Sequence, residues 1–161
     1  MRVAVRQMGA GDRAAWAAMR AALWPDETRE SHAEAIDALL GSDGGLALIA
    51  EAPGGEPAGF AEIAVRPYAN GCDSRPVAFL EGIWVQPRFR RTGVGAGLIG
   101  HAEALLVARG FRELGSDTTI DNRDSEAAHR AWGFTETERV VYFRKPLALP
   151  DRPANPVARG R

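Results

Sequence analysis

Val77-Ala78-Phe79-Leu80-Glu81-Gly82-Ile83-Trp84-Val85 runs into Gln86-Pro87-Arg88-Phe89-Arg90-Arg91-Thr92-Gly93-Val94-Gly95-Ala96-Gly97, and on to Leu98, Ile99, Ala102, Leu105 and Leu106. The opening run is apolar and of strand length, interrupted by Glu81, which predicts a strand buried on both faces. The closing residues recur at helical spacing and predict a helix over 93–109, ended by Gly110. Between them lies a segment rich in Gly and Arg. At a helix start, unpaired main-chain N–H groups and the helix dipole favour an anion. Small residues at Gly93, Gly95 and Gly97 leave those donors unobstructed, and Arg88, Arg90 and Arg91 add positive charge. The segment reads as a cradle for a diphosphate, against the plainer alternative of a Gly-rich turn joining strand to helix.

Working outward, Val3 and Val5 alternate with polar residues in a short first strand, and Asp12 is placed to cap a helix carrying Trp16, Met19 and Leu23 up to Pro25. A second helix is expected over 31–40, with Ser31 and Glu34 as a capping box and Ile36, Leu39 and Leu40 inward. Segments 46–52 and 58–66 read as a hairpin around Pro53-Gly54-Gly55-Glu56-Pro57. Downstream, 111–116 is expected to form a strand, 121–132 a short helix, and 136–145 a final strand. The order β-α-α-β-β-β-α-β-α-β predicts an α/β class fold (an α+β mixed sheet) with a β-α-β crossover between parallel strands. Residues 1–147 are assigned to one domain. Residues 148–161, with Pro150, Pro153 and Pro156 and no apolar periodicity, are assigned to a disordered tail.

Composition narrows the function. A chain of 161 residues with 45% hydrophobic and 25% charged residues suits one soluble core. A formal net charge of −1 argues against a bulk nucleic-acid binder. No stretch reaches the length of a membrane span and no signal peptide is evident, so the expected location is the cytoplasm. His32, His101 and His129 are scattered and Cys72 is the single cysteine, so neither a metal site nor an internal disulfide is expected. Gly95-Ala96-Gly97-Leu98-Ile99-Gly100 matches GxGxxG, with Asp117 downstream. A dinucleotide fold needs its first Gly directly off the strand, whereas here Gly100 would already lie inside the helix.

Arg90-x-x-Gly93-x-Gly95, preceded by a strand ending Ile83-Trp84-Val85-Gln86-Pro87 and followed by Asn122 and Ala128 to Trp132 before Gly133-Phe134, resembles the acetyl-coenzyme A signature of the GCN5-related N-acetyltransferase superfamily. Leu23-Trp24, Phe79 through Val85, Ser116-Asp117, Asp121-Asn122, His129-Arg130 and the stretch Gly133-Phe134 to Phe143 are similar to the aminoglycoside 6′-N-acetyltransferases. The resemblance covers the chain to about Lys145. It implies the acetyltransferase fold, acetyl-CoA as cosubstrate, and acetylation of an aminoglycoside 6′-amine by direct transfer.

For the coenzyme, the resemblance points to Ile83, Trp84 and Val85, to Arg90, Arg91, Thr92, Gly93, Val94, Gly95, Ala96 and Gly97, and to Asn122. A backbone N–H on the Ile83 to Val85 edge would polarise the thioester carbonyl, and Gly82 is a candidate bulge. Acetyl transfer also needs a neutral amine and protonation of the departing sulfur. Glu81, inside an apolar strand, and Asp117, where two parallel strands diverge, are candidates to hold the ammonium and accept its proton. Their plainer readings are a solvated strand charge and a turn cap. The superfamily often carries a tyrosine as general acid four residues before the Gly-Phe pair; here that position is His129, which serves as the acid or makes a structural hydrogen bond.

The resemblance further assigns Trp24 and Tyr68 to the antibiotic site, and Glu81, Asp117 and Glu136 suit an acidic cleft for a polycation, against the plainer readings of Trp24 as core and Glu136 as a charge on a solvated strand face. It implies a homodimer, for which Val140-Val141-Tyr142-Phe143 is an apolar run suited to strand pairing. Two rival functions stand beside this one. They are an acetyltransferase of the same fold acting on a polyamine, a metabolite or a protein N-terminus, and a non-catalytic coenzyme A module with no use for Glu81 or Asp117.

Overall fold

The computed structural model describes residues 3–147; the expected tail, 148–161, lies outside the described residues. The elements are β1 (Ala4–Gln7), α1 (Arg13–Leu23), α2 (Arg29–Leu40), β2 (Leu46–Glu51), β3 (Pro57–Arg66), β4 (Val77–Val85), α3 (Val94–Ala108), β5 (Leu114–Ser116) and α4 (Arg123–Ala131). The strands form one sheet in the order β1-β2-β3-β4-β5. Neighbours are antiparallel except β4 and β5, which are parallel and joined through α3 as expected. GxGxxG therefore lies inside α3, as its spacing from the strand foretold.

Alternation along the strands sends side chains to two separate cores. On one face Leu46, Leu48, Ala61, Ile63, Ala78 and Leu80 pack against Leu98, Ile99, Ala102 and Leu106 of α3. On the other, Ala47, Ile49 and Phe60 meet Trp16 and Met19 of α1 and Ile36 of α2. Helices thus cover both faces of the sheet, and the β4–β5 end lies between those layers.

Four local expectations are corrected. Thr28, not Ser31, caps α2: its Oγ1 accepts from the Ser31 N–H at 3.1 Å, so the helix begins three residues earlier than the capping box implied. The carboxylate of Asp12 accepts from the Gly9 N–H at 2.9 Å and pairs with Arg6, and does not cap α1. β4 is buried from Val77 to Leu80 and half-exposed from Gly82 onward, because no strand or helix covers its second half fully. The expected strand over 136–145 is not formed; residues 134–147 carry no regular secondary structure. A strand needs a partner for its N–H and C=O groups, and β5, the neighbouring edge, is a three-residue element.

Candidate active site

The loop after β4 enters α3 through two left-handed residues and leaves main-chain donors at the helix start. Arg91 (φ 58°) and Gly93 (φ 93°) both take the left-handed conformation that turns the chain into α3. Gly93 is required for that conformation and not for space, since a Cβ there would meet nothing within 4 Å. As N-cap it offers α3 no side-chain acceptor, and the Gly97 N–H bonds back to its carbonyl at 2.9 Å. The N–H groups of Val94, Gly95 and Ala96 thus open outward from the helix end, which fits the diphosphate of coenzyme A.

Side chains around the loop depart from the expected pattern. Arg88 pairs with Glu56 and donates to Gln86, so it is not free charge. Arg90 Nε donates to the Val85 carbonyl at 3.1 Å, and Thr92 Oγ1 to the Phe89 carbonyl at 2.7 Å; both fasten the loop to itself and to β4. Arg91 is exposed. Gly95 has a further reason to be small: a Cβ there would lie 2.5 Å from Cζ2 of Trp132, so its bare Cα seats the indole that follows α4. At Gly97 a Cβ would find ordinary contacts at 3.8 Å, and nothing there demands glycine.

Beside this helix end, β4 and β5 part. Their pairing covers Ala78–Leu80 against Leu114–Ser116 and no further, so Ile83, Trp84 and Val85 keep a free strand edge facing the splay. The partner β3 meets Gly82 at Glu62 and Leu80 at Ile63, leaving Glu81 as the extra residue of a β-bulge. The bulge was foreseen at Gly82. It turns Glu81 outward from an otherwise inward run, and the ring of Trp24 lies where a Cβ of Gly82 would be.

Glu81 and Trp24 line a cavity of about 430 Å³ between the α1–α2 layer and the sheet. Glu81 is not buried: its side chain is 32% exposed, and both oxygens are taken by Arg66 at 2.6 and 2.7 Å. Tyr68 and Asp117 line a second cavity of about 230 Å³ with Arg66, Phe79, Ser116 and Tyr142. Asp117 is exposed and makes no side-chain hydrogen bond or ion pair among the described residues. Both acids are thus open to solvent, although Glu81 interrupts an apolar strand. Among the described residues the buried carboxylate is Glu62, 4% exposed, which accepts from Trp16 Nε1 and Arg20 Nη1. Arg20 in turn stacks over Trp24, 4.5 Å from the ring centroid.

His129 hangs from α4 into the base of the splay. Its Nδ1 lies 2.7 Å from the Ser125 carbonyl, an acceptor, so Nδ1 carries the proton. Nε2, 2.8 Å from Ser116 Oγ, accepts from that hydroxyl when the ring is neutral. The ring also packs on Trp132 and Phe134. His129 therefore reaches the Asp117 cavity through Ser116, which lines it.

Two assigned residues stand apart. Glu136 lines neither cavity; Arg130 at 3.2 Å and Arg139 at 2.5 Å hold it, and the Arg139 bond first, then Arg130, keeps its carboxyl below the usual range. Asn122 Oδ1 accepts from the Ser125 N–H at 3.1 Å as the N-cap of α4. Sequence reasoning missed Glu62, Arg20, Arg66 and Ser116. Glu62 carried a legible signal, an acid amid Phe60, Ala61, Ile63 and Ala64, the same signal that singled out Glu81.

The acetyltransferase (GNAT) family profile matches residues 12–134. The chain is 46% identical over 144 residues to the aminoglycoside N(6′)-acetyltransferase type 1 of Stenotrophomonas maltophilia, covering 89% of this chain and 93% of that one. It is 47% identical over 146 residues to the enzyme of that name from Klebsiella aerogenes, covering 89% and 96%. The solved structure of AAC(6′)-Iy with the bisubstrate analogue CoA-S-monomethyl-acetylneamine superposes with a TM-score of 0.86 at 40% identity, covering 91% of this chain and all of that one. Open main-chain donors ahead of α3, a splayed strand pair and relatives of this similarity lead to one assignment: the chain belongs to the acetyltransferase (GNAT) family, among the aminoglycoside N(6′)-acetyltransferases.

Proposed function

We propose that the protein transfers the acetyl group of acetyl-CoA directly to the 6′-amine of aminoglycoside antibiotics. The observation that carries this reading is the parting of β4 and β5 after Leu80 and Ser116: Glu81 and Asp117, the next residues of the two strands, each line a cavity, and the free edge of β4 beyond them leads into the loop before α3. The thioester supplies an activated acetyl group when bound. The N–H groups of Val94, Gly95 and Ala96 hold the diphosphate, with Arg91 beside them. An N–H on the Ile83 to Val85 edge donates to the carbonyl oxygen as it gains charge.

Asp117, unpaired and open, accepts the proton that the ammonium must lose, and Glu81 anchors the polycation. Tyr68 and Trp24 offer flat rings to sugar faces. Protonation of the departing sulfur falls to Ser116 and His129: the hydroxyl gives its proton to sulfur and takes one from Nε2 of the imidazolium, leaving neutral His129. Glu136 has no direct part in this scheme, since its arginines hold it away from both cavities.

We further place the enzyme in the cytoplasm, beside the pool of coenzyme A thioesters, and read it as a homodimer. Val140, Val141, Tyr142 and Phe143 are 45%, 78%, 77% and 94% exposed, an apolar run that a second copy would cover by strand pairing. Among the described residues, no helix is long and apolar enough to cross a membrane and no group of side chains is arranged to hold a metal ion.

The test is acetyl-CoA consumption with kanamycin, tobramycin and a 6′-hydroxyl analogue. Turnover with the 6′-amines alone is expected; equal turnover with the hydroxyl analogue, or none with either amine, would refute the assignment.

A further inference from the structure

The reaction proposed above needs a free carboxylate for a cationic substrate, yet Glu81 already holds a cation. Arg66, the last residue of β3, forks onto it, Nε to Oε1 at 2.7 Å and Nη2 to Oε2 at 2.6 Å. A bidentate guanidinium occupies both oxygens, so an arriving ammonium finds neither available. The pair also stands between the two cavities, Glu81 lining the larger and Arg66 the smaller.

Nothing in its setting makes this pair a structural tie. The Arg66 and Glu81 side chains are 38% and 32% exposed, against 11% and 5% for Arg20 and Glu62, and exposed pairs contribute little to a fold. The guanidinium has a second seat independent of Glu81, over the ring of Phe79 at 3.6 Å. It does not leave by losing its proton. The Glu81 bond raises its pKa further above the normal arginine range despite partial burial, with Asp117 and Tyr142 adding to the effect. It has to be displaced.

We propose that Arg66 is a tethered placeholder for the substrate's ammonium: aminoglycoside binding exchanges one cation for the other at Glu81 and joins the two cavities into one cleft. The proposal rests on the acetylation reading above. It assigns Arg66 to substrate selection rather than to chemistry. Arg66 neutralises Glu81, and only a ligand bringing its own positive charge can take over the carboxylate. A neutral sugar of the same shape has nothing to offer in exchange.

The test uses the full-length enzyme and kanamycin. Arg66→Met is expected to lower KM for kanamycin about two- to fivefold, the range an exposed ion pair can impose. Its kcat should change less, and calorimetric affinity for kanamycin in the presence of coenzyme A should rise by a similar factor. An unchanged or raised KM overturns the proposal, because a purely structural arginine would leave KM alone and a substrate-orienting one would raise it. In the wild-type enzyme, the Arg66 side-chain N–H signal in ¹⁵N NMR, identified by its absence from Arg66→Met, should lose its protection when kanamycin saturates the site. A neutral trisaccharide should not affect it. Persistence of that protection under kanamycin overturns the exchange without recourse to the variant's kinetics. Acetylation of kanamycin with Arg66 still on Glu81 refutes the exchange alone; displacement of Arg66 without acetylation refutes the reaction alone.

Discussion

At the scale of single residues, similar carboxylates receive different tasks from their surroundings. Asp117 has no partner among the described residues, Glu81 has Arg66, and Glu62 is enclosed with Arg20 and Trp16. Asp117→Ala is expected to keep coenzyme A binding by calorimetry while kcat falls by about two orders of magnitude, within the usual reach of acid–base catalysis. Near-normal turnover in the purified variant would remove Asp117 from the mechanism. Ser116→Ala breaks the contact between His129 Nε2 and the splay. It should lower kcat about tenfold or more with little change in KM, and should change the alkaline limb of the pH–rate profile, where a required acid loses its proton; an unaltered limb would return His129 to a structural role. Much at this scale was legible beforehand. Glu81 could be named because it breaks an apolar run, Asp117 because it follows a strand expected to part from its parallel neighbour, and Trp24 because it follows the end of a helix. Ser116 was not, since a serine beside a strand end is unremarkable until His129, far along the chain, is brought to 2.8 Å from it.

At the scale of elements, the site depends on how α1 is fastened to β3. Glu62 and Arg20 are buried partners, and Arg20 carries Trp24, whose ring lies against Gly82 of the bulge. Removing one member of a buried pair leaves the other charge without compensation. Glu62→Ala is therefore expected to destabilise the fold by about 3–5 kcal/mol, measured by urea denaturation. A loss under about 1 kcal/mol, the level of exposed pairs, would show that this tie is not needed. The strands, α3 and the crossover were readable from periodicity, because each buries a face that its own pattern specifies. The last strand was misread for the complementary reason. Alternating Val140 and Tyr142 describe a surface able to pair, while pairing itself requires another strand.

For the whole molecule, two predictions concern how the edges are managed. If the exposed run from Val140 to Phe143 is covered by a second copy, light scattering should give the mass of a dimer for the wild-type chain, and Val141→Glu with Phe143→Glu should shift it toward monomer. A wild-type monomer at tens of micromolar would end the dimer reading. At the opposite edge, Arg6 of β1 binds Asp12 at 2.8 Å and Glu51 of β2 at 2.7 Å. The Arg6 bond first, and the Gly9 N–H second, hold the Asp12 carboxyl below its usual range. A group whose folded pKa is depressed contributes stability above its unfolded pKa and loses that contribution as pH falls through the folded value. Thermal stability should thus decline below about pH 4, the unfolded aspartate range, and Asp12→Asn should flatten that part of the profile. An identical acid limb in the variant would show that the Arg6 pair does not set it.

The amino-acid sequence by itself determined the layered mixed sheet, the turn into α3 and the chemistry to look for. Those rest on local periodicity, on Gly93 in a left-handed turn and on helix-end donors, all properties of contiguous residues. Tertiary structure alone decided which acid is free, which is caged and which is buried, and that Gly95 serves Trp132. These outcomes follow from side chains that meet across long stretches of chain, Arg20 with Glu62, Arg66 with Glu81 and Ser116 with His129. Desolvation and charge neutralisation act on that proximity, and no local pattern encodes it.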